Sequence, residues 1–136
     1  MFGLRKILQT LVAVSLMTTP AIAAPGWPNS PKDQVRFFAT CAGWMAAQQD
    51  HDWLIDQVAA TENKQYSEAF SSLIEAILPD IDGLDRRTVF KWRVHAKLAQ
   101  TKLLERADYS RDSRSKVIAS QTARANLTQC QSVLLG

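Results

Sequence analysis

Between residues 31 and 134 the apolar side chains recur at intervals of three and four, and the runs are broken by short clusters of Pro, Gly, Asp and Ser. That spacing puts apolar groups on one side of a helix, and nowhere do they alternate as a half-buried strand requires. Ser30-Pro31-Lys32-Asp33 starts the first helix: Ser30 caps, Pro31 occupies the first helical position, and Asp33 answers the cap. No Pro or Gly cluster interrupts the residues after Asp33, so helix 1 is expected from Pro31 to Val58. Thr61 would cap helix 2, whose apolar face is Tyr66, Phe70, Leu73, Ile74 and Ile77, and Pro79 ends it. The turn Pro79-Asp80-Ile81-Asp82-Gly83 leads into helix 3, started by Asp82 or Asp85 and reaching about Ala107. Helix 4 spans Ser113 to Leu134, with Ala119, Ala123, Leu127, Cys130 and Leu134 on one face. Four helices with short connections predict an all-α fold, an antiparallel helical bundle in one domain over residues 31–136.

The first 23 residues read as a cleavable signal peptide. Arg5 and Lys6 precede the mostly apolar run Ile7 to Met17, and Pro20 with the small residues Ala21 and Ala23 places the cut between Ala23 and Ala24. The run is too short to cross a membrane, which takes about 20 apolar residues, and no Cys lies near the cut to carry a lipid. Residues 24–30 hold two Pro and a Gly and form an extended lead-in. The expected compartment is therefore periplasmic or extracellular. There, Cys41 on the apolar face of helix 1 and Cys130 on that of helix 4 are expected to pair.

Losing Arg5 and Lys6 leaves fourteen basic against thirteen acidic residues, a net charge of +1. The distribution says more than the total. Residues 24–85 hold three basic and ten acidic groups, and residues 86–124 hold eleven basic and three acidic. Such blocks mark either a charged binding surface or oppositely charged helices that face and neutralise one another, and the second is the simpler expectation. No nucleic-acid partner is expected.

Helix 3 carries two apolar stripes. Val89, Trp92, Ala96, Ala99 and Leu103 share one side, while Phe90, Val94 and Leu98 share the other. Arg86, Arg87, Lys91, Arg93 and Lys97 flank the second stripe, giving a basic amphipathic surface suited to an unknown protein, an acidic peptide or an anionic membrane surface. The competing reading puts helix 3 at the centre of the bundle, packed on both sides. The later part of helix 1 offers an alternative site. There the face of Phe38, Cys41 and Met45 continues into Gln48, Gln49, Asp52 and Asp56, while Trp53, Leu54 and Ile55 lie elsewhere. Gln48, Gln49, His51 and Asp52 would line a pocket of a small enzyme or carrier, or would be solvated groups paired with basic residues of helix 3.

Met45 with His95 is formally compatible with haem between two helices, but nothing in the spacing selects it. No phosphate loop, nucleophile elbow, zinc spacing or paired-cysteine redox motif is present, so no residue is assigned a catalytic or metal-ligating role and no cofactor is expected. Taken together, Phe37-Phe38-Ala39-Thr40-Cys41-Ala42-Gly43-Trp44, His51-Asp52-Trp53-Leu54 and Cys130 resemble small exported bacterial helical proteins of uncharacterised function. The resemblance implies a periplasmic helical domain with its two cysteines joined, and brings no activity or site residue with it. The function expected is binding, with the basic stripe of helix 3 as the contact surface.

Overall fold

The computed structural model describes residues 28–136. The expected signal peptide and most of the lead-in lie outside the described residues. From Ser30 onward the start signals act as the sequence implies: the Ser30 hydroxyl accepts the Asp33 N–H at 3.1 Å and donates to the Asp33 carboxylate at 2.6 Å. Helix α1 runs Pro31–Asp52, α2 Gln57–Ile77, α3 Arg86–Tyr109 and α4 Ser113–Leu135. A short 3₁₀ turn at Leu78–Asp80 follows α2. Among the described residues there is no strand, and no helix is long and apolar enough to cross a membrane. The all-α bundle is the fold.

Two boundaries differ from the sequence reading, for one reason. Helix 1 does not reach Val58, because Asp56 takes an extended conformation and its Oδ1 accepts the Val58 and Ala59 N–H groups at 3.1 and 3.0 Å. A good N-cap ends one helix and begins the next, although no Pro or Gly marks the break. Thr61 is therefore not a cap but a residue inside α2, its hydroxyl donating to the Gln57 carbonyl at 2.8 Å. Asp85, one of the two caps expected for α3, accepts the Thr88 N–H at 2.7 Å. Gly83 before it takes φ +75°, the left-handed conformation that lets the turn close.

The central element is α1, not helix 3. Its buried side carries Val35, Phe38, Ala39, Cys41, Ala42 and Met45, against Phe70, Ile74 and Leu78 from the second helix and its turn. Cys41 and Cys130 are joined, with Cα atoms 5.6 Å apart, tying α4 to the middle of α1. Consecutive helices run antiparallel, yet α1 and α3 lie side by side in the same direction. Arg36 stacks over Trp92, Gly43 meets Arg93 to Lys97, and His51 meets Asp108. The approach at Gly43 is so close that a Cβ would overlap the Arg93 carbonyl oxygen and lie 2.9 Å from the Ala96 Cβ. Only glycine fits this crossing.

Helix α3 turns Val89, Ala96, Gln100 and Leu104 inward, whereas Ala99, expected on the core side, is exposed and Trp92 and Leu103 are half-buried. Gln100 is fully buried and spends both ends of its amide on α4, donating to the Ala123 carbonyl at 3.1 Å and accepting from Asn126 at 2.9 Å. A buried amide so satisfied sets the register of α3 on α4. The α4 face is as expected, with Ala119, Ala123 and Cys130 buried and Leu127 and Leu134 half-buried.

Candidate functional site

Helices α2 and α3 both rest on α1 and meet each other through long side chains. Arg86 grips Glu75 through both carboxylate oxygens at 2.6 Å. One to two turns further, Arg93 reaches across to the Ser71 and Ser67 hydroxyls at 3.3 and 3.4 Å. Ser67 in turn donates to the Ala42 carbonyl of α1 at 2.9 Å. Between these bridges lies an open groove of about 270 Å³ with Ile74, Val89 and Phe90 as its apolar lining and Ser71, Glu75, Arg86 and Arg93 as its polar lining.

The charges of this groove are unequal. Glu75 is neutralised by Arg86, whereas the half-buried Arg93 guanidinium has two long hydrogen bonds to neutral hydroxyls and, among the described residues, no carboxylate in ion-pair range. A guanidinium presents five donors in a planar fork suited to a carboxylate. Phe90 is 63% exposed on the groove's lip. The arrangement can take an apolar side chain together with an anion.

The other residues of the expected basic stripe are spread along α3. Leu98 is 55% exposed and Val94 half-buried, and neither lines the groove. Arg87 and Lys91 are exposed and form no ion pair among the described residues, while Lys97 meets Asp50 of α1 at 2.6 Å. Opposite charges on adjoining helices thus neutralise one another at Glu75–Arg86 and Asp50–Lys97, and the cation lining the groove without a carboxylate in ion-pair range is Arg93; Arg87 and Lys91 do not line it and share the field of Asp85.

At the other end of the molecule the polar turn of α1 is built around Asp52. Its carboxylate accepts from Gln48 at 2.9 Å, from the buried Asn63 at 3.1 Å, and meets His51 Nδ1 at 3.0 Å. His51 Nε2 reaches Asp108 on α3 at 2.8 Å. Burial lowers the His51 pKa, but hydrogen bonds to Asp52 and Asp108, with the Coulombic attraction of both, outweigh it and hold the ring above its ordinary 6.5. When protonated, the ring can donate from both nitrogens, to Asp52 and to Asp108. Gln49 is half-buried nearby and contributes its backbone carbonyl to Trp53 N–H at 3.0 Å. These groups therefore tie α1 to α2 and α3 through one another, through Asn63 and through Asp108, and among the described residues none of Gln48, Gln49, His51 and Asp52 pairs with a basic residue of α3 as the second expectation had it; the α1 carboxylate that does so is Asp50, with Lys97.

Two side chains that complete this network, Asn63 and Asp108, carry no sequence signal that singles them out. Ser67, Ser71 and Glu75 of the groove are equally absent from the sequence reading. The available signal for the serines is their spacing of four beside the Phe70 and Ile74 face of helix 2. The haem pairing fails outright, since Met45 is wholly buried in the core while His95 is exposed. Among the described residues no three His, Cys, Asp or Glu side chains gather as a metal set.

Where the polar groups of α1 turn inward, the apolar ones after them turn outward: Trp53, Leu54, Ile55 and Val58 are all exposed, Leu54 to 91%. Leu54 and Ile55 border a cleft of about 430 Å³ whose far side includes Leu104 and the exposed Tyr109 of α3. No family model, no curated protein and no solved structure matches this chain, so its similarity to known proteins adds nothing to this geometry.

Proposed function

We propose that this chain is an exported binding protein that acts without catalysis. Its contact surface is the α2–α3 groove, and it takes an acidic segment carrying an apolar anchor. The observation that supports this is Arg93, a half-buried cation facing the groove with only two long bonds to serine hydroxyls and no carboxylate among the described residues. A ligand carboxylate would complete its hydrogen bonding while an apolar side chain covers Ile74, Val89 and Phe90, and the charges of Arg87 and Lys91 would draw the segment in. The concave shape and the paired Glu75 on its wall favour a peptide over an anionic membrane, which would need a flat or convex basic face.

The test is a fluorescence-polarisation titration with a labelled, capped six-residue peptide holding two leucines and two aspartates, beside a twin with lysines for the aspartates. Binding of the acidic peptide alone is expected, weakening as salt rises. Arg93→Gln, which removes the charge and the fork of donors, should weaken it by about 10- to 100-fold, the worth of a charge-assisted hydrogen bond. Equal binding of both peptides, or binding only to phosphatidylglycerol vesicles, overturns the proposal.

A further inference from the structure

The groove calls for an acidic segment with a protruding apolar anchor, and this chain displays one at its opposite end. The turn between α1 and α2 holds out Leu54, the most exposed large apolar residue among those described, with Ile55 beside it and Asp56 next in line. The turn is preformed, because the Asp52 carbonyl accepts the N–H groups of Ile55 and Asp56 at 2.9 and 2.7 Å. Only Oδ1 of Asp56 is used in capping α2, and its second oxygen has no partner among the described residues. Little conformational freedom remains to be lost on docking, which favours binding.

Resting on the reading of the groove given above, we infer that its occupant is the α1–α2 turn of a second copy of this chain. Leu54 of one copy lies against Ile74, Val89 and Phe90 of the next, and the free oxygen of Asp56 meets Arg93. The complementarity has both parts: an apolar anchor for an apolar lining, and a carboxylate for a cation that lacks one. A molecule cannot fill its own groove, because Val58 and Ile74 stand sixteen residues apart on α2, about 24 Å along a straight helix. The contact is therefore head to tail. Such an interface leaves a free turn at one end and a free groove at the other, so association proceeds past the dimer unless a ring closes.

Sedimentation velocity of the purified, disulfide-bonded protein over a wide concentration range tests this, with circular dichroism to verify each variant's fold. The native protein is expected to grow beyond a dimer as concentration rises, and less so at high salt. Arg93→Gln and the double variant Leu54→Ser with Ile55→Ser should each remain monomeric, every substituted side chain lying at the surface or on the groove. Mixing the two variants is the decisive arm. Each retains the surface the other lacks, so the mixture should form a one-to-one dimer and stop there. A native protein that stays monomeric, an association that survives Arg93→Gln, or a mixture that fails to pair would overturn the inference. The acidic test peptide separates the two readings: if it binds while the chains do not associate, the groove stands and only its occupant is wrong; if it fails as well, the groove reading falls too.

Discussion

From Val35 to Ala47, α1 is enclosed by side chains from α2, α3 and α4 and clamped by the Cys41–Cys130 bond, whereas from Gln48 to Asp52 it is held by a carboxylate that collects three hydrogen bonds. In the first stretch apolar groups point inward and little is left to show to a partner. In the second the inward positions are polar, and Trp53, Leu54 and Ile55 are left exposed. A helix end fixed by hydrogen bonds rather than by burial thus leaves the apolar residues that follow it at the surface, where the proposed self-association would use them.

Removing the covalent clamp would break this contrast most severely. Cys41→Ala with Cys130→Ala opens a loop of 89 residues, and in the chain-entropy model its loss costs about 4 to 5 kcal/mol, comparable to the whole stability of a small domain. Urea unfolding of the variant beside the oxidised parent measures it, and a loss below about 1 kcal/mol would mean that burial alone holds the first half of α1.

Gly43→Ala comes next. Alanine is the better helix former by about 1 kcal/mol, so an uncrowded site would gain stability. Here the new methyl runs into the Arg93 backbone, and α1 and α3 must part, so a net loss of about 1 to 3 kcal/mol is expected in thermal melts. A stabilised variant would show that the α1–α3 crossing is less tight than the structure has it.

The smallest effect belongs to the polar end. Because the folded pKa of His51 is raised, its contribution is fully present below the unfolded value near 6.5 and is lost as pH rises through the folded value. Urea midpoints should therefore fall from about pH 6 to about pH 8, and His51→Gln should flatten that slope. An unchanged slope in the variant would remove His51 from the latch and weaken the distinction between the two halves.

Legibility in the sequence differs between the same two regions. The apolar face of α1, the face of α4 and the pairing of Cys41 with Cys130 follow from periodicity and expected compartment, because burial of an apolar stripe leaves a regular trace in the sequence. The latch leaves none. Asp52 depends on Asn63 eleven positions on, and His51 on Asp108 fifty-seven positions on, and hydrogen bonds of that range follow no spacing rule. The end of α1 escapes periodicity for a related reason: Asp56 fits a helix face by spacing, yet its short carboxylate serves better as a cap.

The sequence by itself determined that the chain is a set of helices, with capped starts for α1 and α3, one strongly apolar face on each of α1, α2 and α4, and a positive charge excess in its later part. These are local properties, set by side-chain spacing and by the first turn of each helix. Tertiary structure alone decided that α1 rather than α3 is central, and which basic residues meet a carboxylate and which do not. Arg86 and Arg93 differ little as sequence, yet one faces Glu75 and the other two serines. The difference arises because neutralisation depends on which side chains two packed helices bring within a few ångströms, and that is settled by how α2 and α3 sit on α1 rather than by any order along the chain.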